Sequence, residues 1–374
     1  MSPLSPTPEV ALHAVLWGGL ALGLLLGAAA QASRFCVRGA LADWFVLGNR
    51  GRMASWVLAV GVAMAGTQLL IALQLFDAPR ALAWSSRLPW ASLALGGLIF
   101  GAGMVLAAGC PQRSLVKAGS GNLRAVVTLV VAAVSAQMAL RGVFAQARAS
   151  TVDTWALDLG KPQDLGSLGA AALGVTAATP AVMRAAVLLL LLALMAAWLW
   201  RHGGSMRRVQ WVGSVVVGLL VPAAWLLTGW VGYLPEHPET LEAAWLGTQS
   251  GRPEALSFTA PIAHSLDLLT FWTDENTTLS FGVALCLGAV LGSLISAKLR
   301  GEFRLESFDS PRELGNHLVG AVLMGVGGVT ALGCSVGQGV TGLAMLSAGA
   351  FIAVAGIVAG ALLVLRLGWV ERPA

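Results

Sequence analysis

The sequence predicts an all-α protein that crosses a membrane many times. Of its 374 residues, 57% are hydrophobic and only 11% are charged, whereas about a quarter of residues are charged in soluble proteins. The mean hydropathy is +0.77. Charge-free apolar runs at residues 53–76, 209–233 and 314–365 exceed the roughly 20 residues that cross the hydrocarbon core of a bilayer. Unbroken runs of this length argue against a transmembrane barrel, whose strands are short and alternate in polarity.

The N-terminal part predicts a retained first span that is followed by a cytoplasmic connection. Residues 1–10 lack the positive region of a signal peptide, so the first span, residues 9–30, is expected to stay in the protein. Arginine is in excess in residues 34–52, and this bias places the connection on the cytoplasmic side. The next span, residues 53–76, therefore runs outward.

The same reasoning orders the rest of the chain. Further apolar segments lie at residues 93–109, 125–140, 168–179, 185–200, 211–233 and 277–297. The basic turn at residues 201–208 is predicted inside and the acidic stretch 234–276 outside. Residues 314–365 contain no Lys, Arg, Asp or Glu over 52 positions. They must therefore hold more than one span, with the natural break at residues 333–335.

Two Gly-Cys elements suggest an internal repeat. When Cys110 is aligned with Cys334, six of the ten positions that end at these cysteines are identical (GAGMVLAAGC and GVGGVTALGC). We therefore predict one membrane domain, residues 1–374, with residues 9–122 and 277–369 as two related halves. Both halves contain Gly-x-x-x-Gly pairs near their start, Gly23/Gly27 and Gly288/Gly292, which favour close helix contacts.

The two cysteines are predicted to mark an anion-binding site. Pro111 suits the first position of a helix, which makes Cys110 the expected N-cap residue. A helix start offers unpaired N–H groups to an anion, and Arg113 and Lys117 would add to the attraction. A break in a helix at membrane depth is tolerated where it is buried in protein or lines a polar cavity. We therefore expect Cys110 and Cys334 to lie at the functional centre.

The other titratable groups give weaker signals. No C-x-x-C pair and no Cys/His cluster with zinc spacing occurs in the sequence, so neither a metal nor a cofactor is predicted. Cys286 lies in mid-span and is expected to pack as a small apolar residue. For Cys36, between two arginines, a packing role and a reactive thiol are equally balanced. His317 is expected to make a polar contact rather than to relay protons. The net charge of +5 fits membrane orientation, not nucleic-acid binding.

Three motifs resemble the YeeE/YedE family of sulfur-compound transporters: SRFCVRGA at residues 33–40, GCPQR at 109–113 and GCSVGQG at 333–339. The resemblance implies about nine transmembrane helices with internal pseudo-symmetry, in a bacterial inner membrane. It also implies re-entrant loops that carry cysteines along a thiosulfate path. The implied binding and relay residues are Cys110, Cys334, Cys36, Arg113, Lys117, Arg34, Arg38 and Gln338. Residues 298–306 lack the further loop cysteine that similar thiosulfate importers tend to carry.

The sequence leaves three functions open. The first is a permease for thiosulfate or a closely related small sulfur anion. The second is a membrane sulfurtransferase or thiol enzyme, which usually needs a resolving cysteine close in sequence. The third is a membrane protein that recruits a cytosolic TusA-like sulfur carrier without moving a solute.

Overall fold

The computed structural model describes residues 7–174, 179–238, 241–274 and 277–368. Outside them lie residues 1–6 of the predicted N-terminal segment, residues 175–178 of the apolar segment 168–179, and residues 239–240 and 275–276 of the predicted external loop. Residue 369, the predicted end of the second half, also lies outside the described part. Nearly all ordered backbone is helical, which confirms the predicted all-α class.

Fourteen α-helices occur in the described residues. The first seven are α1 (Pro8–Ser33), α2 (Val37–Leu47), α3 (Gly51–Ala72), α4 (Trp90–Leu106), α5 (Pro111–Gly119), α6 (Leu123–Leu140) and α7 (Val143–Ser150). The others are α8 (Leu165–Ala172), α9 (Thr179–His202), α10 (Arg208–Leu226), α11 (Thr259–Thr270), α12 (Phe281–Leu299), α13 (Pro311–Thr330) and α14 (Ala348–Leu367). A π-helical segment, Gly337–Gly342, lies between α13 and α14.

Two small antiparallel sheets connect the loops. Strand β1 (Arg87–Leu88) pairs with β2 (Leu157–Asp158), and β3 (Tyr233–Leu234) pairs with β4 (Ala244–Trp245). Both sheets have two strands of two residues each. They tie connections together and contribute little to the core, which is formed by packed helices.

Eight helical segments in the described residues are long and apolar enough to cross a membrane. This finding agrees with a multi-pass protein. Helix α13 is not among the eight, and its first turn carries charged residues, yet it packs along α4 and α6. The apolar segment 168–179 is not a span, because α8 ends at Ala172 after eight residues. Within the predicted external stretch 234–276, α11 forms a twelve-residue helix that packs against α6.

Helices α4 and α13 cross in opposite directions at contacts made by glycine. A Cβ atom on Gly103 of α4 would lie 2.6 Å from the Gly320 carbonyl oxygen of α13. A Cβ atom on Gly327 of α13 would lie 2.8 Å from the Gly96 carbonyl oxygen of α4. Counted back from the following cysteine, Gly103 matches Gly327 and Gly96 matches Gly320, so the two helices make the same contact reciprocally. Side chains here would force the helices apart.

A second glycine in each motif packs against a different neighbour. Gly101 of α4 faces the backbone of Ile357 in α14, and Gly325, its match in α13, faces the backbone of Ala132 in α6. The unit α4–α5–α6 therefore resembles the unit α13–π-helical segment–α14, with the two units running in opposite directions. The identities between the two Gly-Cys motifs are explained by these contacts, since small residues recur where backbones touch.

The predicted Gly-x-x-x-Gly pairs also lie at a close contact. Gly23 and Gly27 of α1 face the backbone of α12, and Gly288 and Gly292 of α12 face the backbone of α1. Because residue numbers increase together along the contact, α1 and α12 are parallel. This pair packs beside α5 and so fixes the position of the first Gly-Cys element.

The irregular backbone after Cys334 receives hydrogen bonds from side chains of other elements. Trp56 Nε1 donates to the Gly339 carbonyl at 3.2 Å, and Gln68 Nε2 donates to the Ala344 carbonyl at 2.9 Å. Trp84 Nε1 donates to the Met345 carbonyl at 2.8 Å. Without such donors, carbonyl groups would be unpaired in a region that excludes water. Helix α3 and the loop after it therefore support the second Gly-Cys element.

We expect the Gln68→Leu variant to be less stable than the native protein by about 1–3 kcal/mol, because the buried Ala344 carbonyl would lose its donor. Denaturant unfolding in detergent would measure the difference. The Gln146→Leu variant is the control, since Gln146 is exposed on α7. Equal stability of the two variants would contradict the supporting role of Gln68.

Candidate functional site

Cys36, Cys110 and Cys334 each follow the same backbone turn. A residue in the left-handed conformation lies two positions before each cysteine: Arg34 (φ 57°), Ala108 (φ 51°) and Leu332 (φ 54°). None of the three is glycine, although this region is costly for residues with a side chain. The same pair of helix-ending hydrogen bonds closes all three turns. At Cys110 these run from Ala108 N to Val105 O at 3.2 Å and from Gly109 N to Met104 O at 3.1 Å.

Each turn delivers its cysteine to the start of a new helical segment. Cys110 is the N-cap residue of α5 with Pro111 next to it, as predicted. Cys36 is the N-cap residue of α2, and its Sγ accepts a hydrogen bond from Gly39 N at 3.3 Å. Cys334 Sγ accepts from Gly337 N in the same way, also at 3.3 Å. All three thiols therefore lie beside backbone N–H groups at a helix start, where partial positive charge favours anions.

The three thiols differ in exposure. Cys110 and Cys334 are completely buried, whereas Cys36 is partly exposed. The Cys110 thiol lies near both Cys36 and Cys334. Cys286 is buried as well, within α12. Cys110 is therefore the thiol that neighbours both the accessible thiol and the second buried thiol.

A strongly basic cavity of about 670 Å³ leads to Cys36. It is lined by the predicted residues Arg34, Arg38, Arg113 and Lys117, and also by Arg52, Arg124 and Arg304. The carboxylates in its wall are Glu302, Glu306 and Glu313. The structure thus brings four of the predicted cations together with Cys36.

The cations of the basic cavity differ in what they bind. Lys117 Nζ donates to the Ala108 carbonyl at 2.9 Å, so it supports the turn before Cys110. Arg52 pairs with Asp43 at 3.3 Å, and Arg124 forms ion pairs with the carboxylates at the start of α13 and before it. By contrast, Arg38 Nε and Arg113 Nη1 are buried atoms without a hydrogen-bond partner. These two guanidinium groups have donors that remain for an anion.

Two residues next to the buried thiols were not singled out from the sequence. Gln112 and Ser335 are each 1% exposed, and Gln112 Nε2 and Ser335 Oγ have no hydrogen-bond partner. Unpaired buried polar atoms of this kind are rare and need an explanation. Both residues lie inside the recognised motifs, next to the Gly-Cys pairs, and that position is the signal that could have identified them.

A second cavity, of about 420 Å³, lies beside the backbone that carries Cys334. Gly333 and Gly337, which flank Cys334, line it together with Gln338. Gln338 Nε2 donates to the Ala331 carbonyl at 2.8 Å, so this predicted site residue ties the π-helical segment to the end of α13. The basic cavity therefore reaches Cys36, and a second cavity of different composition reaches the residues on both sides of Cys334.

His317 makes a polar contact, as expected. Its Nδ1 lies 2.9 Å from Thr128 Oγ1 of α6, and Phe308 packs edge-on against its ring. His317 also lines the basic cavity. Among the described residues, no group of three or more His, Cys, Asp or Glu side chains could hold a metal ion.

The sequence profile of a family described as sulphur transport matches residues 32–363. The chain belongs to the sulphur transport family. It is 28% identical over 348 residues to the thiosulfate transporter TsuA of Escherichia coli (strain K12), with 90% of each chain covered. It is 24% identical over 353 residues to the thiosulfate transporter TsuA of Spirochaeta thermophila (strain ATCC 700085 / DSM 6578 / Z-1203), covering 91% of this chain and 94% of the relative.

Membership in this family answers one question that the sequence left open. Proteins of a transport family move a solute rather than transform it, and both relatives are named as transporters. The chain is therefore not an enzyme, and the membrane sulfurtransferase is set aside. The matched region includes all four cysteines, the residues that line the second cavity, and those that line the basic cavity except Gln31.

We expect a membrane-impermeant maleimide to modify Cys36 first in the folded protein, because Cys36 lines the basic cavity and the other three cysteines are buried. Mass spectrometry of the alkylated protein would measure the extent at each cysteine. The Cys36→Ser variant, the control, should stay unmodified until it is denatured. Modification of Cys110 or Cys334 at a similar rate would contradict the described burial.

Proposed function

We propose that this protein is a permease of the bacterial inner membrane for thiosulfate or a closely related small sulfur anion. The observation that carries the proposal is the thiol-bearing turn that occurs at Cys36, Cys110 and Cys334. We take these three thiols as a row that links the basic cavity to the second cavity. The names of the two relatives support thiosulfate as the substrate. The inner membrane is supported by the multi-pass helical fold.

In this proposal the basic cavity attracts the anion and removes part of its hydration shell. Arg38 and Arg113 have unpaired buried N–H groups there, and charge-assisted hydrogen bonds from guanidinium to an oxyanion are strong and geometrically specific. Cys36 lies in the wall of this cavity and provides the first sulfur contact.

At Cys110 the anion is held by neutral donors and a thiol. The N–H groups at the start of α5, with the unpaired Gln112 Nε2 and Ser335 Oγ nearby, suit the oxygen atoms of thiosulfate. The terminal sulfur of the anion is polarizable and fits a thiol, which is itself soft and a weak S–H donor. A site that offers both kinds of contact favours a sulfur-terminated oxyanion over an ion with oxygen alone.

The anion then passes from Cys110 to Cys334 through S–H···S contacts. No covalent bond forms and no atom changes its oxidation state, so the step needs no oxidant, reductant or co-substrate. Since Cys110 lies near both other thiols, the anion exchanges one thiol contact for the next in this proposal. The relay requires movement of side chains and of the anion rather than of whole helices.

The protein that only recruits a TusA-like sulfur carrier is the weaker candidate. It gives no role to two completely buried thiols or to the unpaired donors beside them. A cytosolic TusA-like carrier as the acceptor of sulfur from the permease stays a prediction from the sequence.

We expect the Cys110→Ala and Cys334→Ala variants each to lower the initial rate of thiosulfate uptake into proteoliposomes by about tenfold or more. A lost hydrogen bond to a charged group costs about 1.5–3 kcal/mol, and 1.36 kcal/mol corresponds to a tenfold change in rate. Cys286→Ala is the matched control and should transport normally, because Cys286 packs among apolar residues of α12.

The serine variants separate two explanations of such a loss. Serine keeps a small donor but removes the sulfur, so an inactive Cys110→Ser protein indicates a sulfur-specific contact and an active one indicates simple hydrogen bonding. Normal uptake by a Cys110→Ala, Cys334→Ala double variant at matched protein level would refute the relay.

A further inference from the structure

Three buried hydrogen-bond donors of the second cavity have no partner. Thr259, Ser280 and Trp225 all line this cavity, and they are 1%, 3% and 3% exposed. Thr259 Oγ1, Ser280 Oγ and Trp225 Nε1 make no hydrogen bond to the protein. Leaving a buried polar group unpaired costs free energy, so three such groups on residues that line one cavity point to a ligand.

Two helix starts meet at the same place. Helix α11 begins at Thr259 and α12 begins at Phe281, with Ser280 as its N-cap residue. Neither start has a side-chain capping bond, although serine at an N-cap usually provides one. The two starts are adjacent, since a Cβ atom on Gly282 would lie 2.7 Å from the Pro261 ring. The first N–H groups of a helix have no partner within that helix. At the start of α12 the Phe281 N–H donates to the Gly247 carbonyl at 2.7 Å, so the N–H groups of Gly282 and Val283 are the ones that remain there beside the hydroxyl groups.

The charged groups that line the second cavity already interact with other groups of the protein. Arg141 lies 3.8 Å from Asp267, and His264 Nδ1 lies 3.5 Å from the same carboxylate. Glu254 Oε1 accepts from Ser250 N at 2.8 Å, and burial raises the pKa of the Glu254 carboxyl, which favours its uncharged form. The unpaired donors that remain in this cavity are thus uncharged, in contrast to the free guanidinium groups of the basic cavity.

We propose that the second cavity contains a separate binding site for a tetrahedral oxyanion, formed by Thr259 Oγ1, Ser280 Oγ, Trp225 Nε1 and the N–H groups at the starts of α11 and α12. The site rests on the proposed function, because it would receive the same anion at the far end of the thiol row. Gly333 and Gly337 lie in the wall of this cavity, so an anion that leaves Cys334 reaches the donors directly.

Uncharged donors suit this position in a transport path. An anion moves along a series of sites only if each binds it strongly enough to accept it and weakly enough to release it. If fixed cations lay at both ends of the thiol row, the anion would be bound too tightly at the end where it must be released. Hydroxyl, indole and backbone donors bind an oxyanion by orientation, with a weaker electrostatic attraction.

The site makes an unusual prediction for stability. Thr259→Val and Ser280→Ala remove hydroxyl groups that have no partner in the protein, so the ligand-free double variant should unfold at the same temperature as the native protein or at a higher one. Loss of anion binding together with unchanged or raised stability is the signature of hydroxyl groups kept for a ligand.

Equilibrium dialysis of the purified protein against radiolabelled thiosulfate tests the site. We expect the Thr259→Val, Ser280→Ala double variant to bind one equivalent of thiosulfate fewer than the native protein, and sulfate to displace that equivalent because the donors recognise oxygen atoms. The control is the Ser265→Ala, Thr270→Val double variant, in which both altered hydroxyls donate to carbonyls of their own helix, α11.

Three results would overturn the inference: unchanged stoichiometry in the double variant, failure of sulfate to displace the equivalent that the variant loses, or a clear loss of stability in the ligand-free variant. Unchanged stoichiometry would leave the thiol relay intact, since that proposal depends on uptake by the Cys110 and Cys334 variants. Loss of uptake in the cysteine variants with normal binding at the second site is therefore distinguishable from normal uptake in those variants with no binding at the second site.

Discussion

The close contact between α4 and α13 is the constraint on which the rest of the structure depends. Glycine at matching positions of both helices lets the two backbones touch, and a side chain at Gly103 or Gly327 would separate them. The turns that end these two helices carry Cys110 and Cys334, which are both completely buried and lie near each other. Other helices provide hydrogen-bond donors for carbonyl groups near these breaks. Helix α3 and the loop after it donate to carbonyls of the backbone that follows Cys334. Ser293 of α12 donates to the Val116 carbonyl of α5 at 2.5 Å.

The two cavities offer different contacts to an anion, and this difference favours capture of the anion from the basic cavity. On one side, unpaired guanidinium groups of Arg38 and Arg113 offer strong attraction, while the nearby Arg124 is neutralised by carboxylates. In the second cavity, the unpaired donors of the lining residues are uncharged. The buried thiols between them avoid the cost of a fixed charge in a region of low dielectric constant. A neutral, polarizable thiol at the centre binds a sulfur anion weakly enough for the anion to move on, whereas a buried cation would hold it in place.

The sequence predicted what depends on local pattern. Apolar run length gave the helical membrane class, Pro111 identified Cys110 as an N-cap residue, and the basic residues beside the cysteines proved to share one cavity. The equivalence of Cys36 could not be predicted, because its turn has Arg34 where the others have Ala108 and Leu332, and only the backbone conformation is shared. The two Gly-Cys elements run in opposite directions because α3 adds a crossing between α1 and α4 in the first half, whereas α13 directly follows α12 in the second half. The donors of the second cavity come from three distant elements, each with an ordinary local sequence.

Determining the structure of the protein with bound thiosulfate would test the central claim most directly, provided that the preparation is active in uptake. The account predicts density for the anion at the start of α5, with its terminal sulfur in contact with Cys110 Sγ and its oxygen atoms towards the N–H groups of α5 and the Arg113 side chain. Anomalous scattering from sulfur would fix the orientation of the ion. Thiosulfate found only against the outer arginines of the basic cavity, with no ion at Cys110 under transport conditions, would contradict the account.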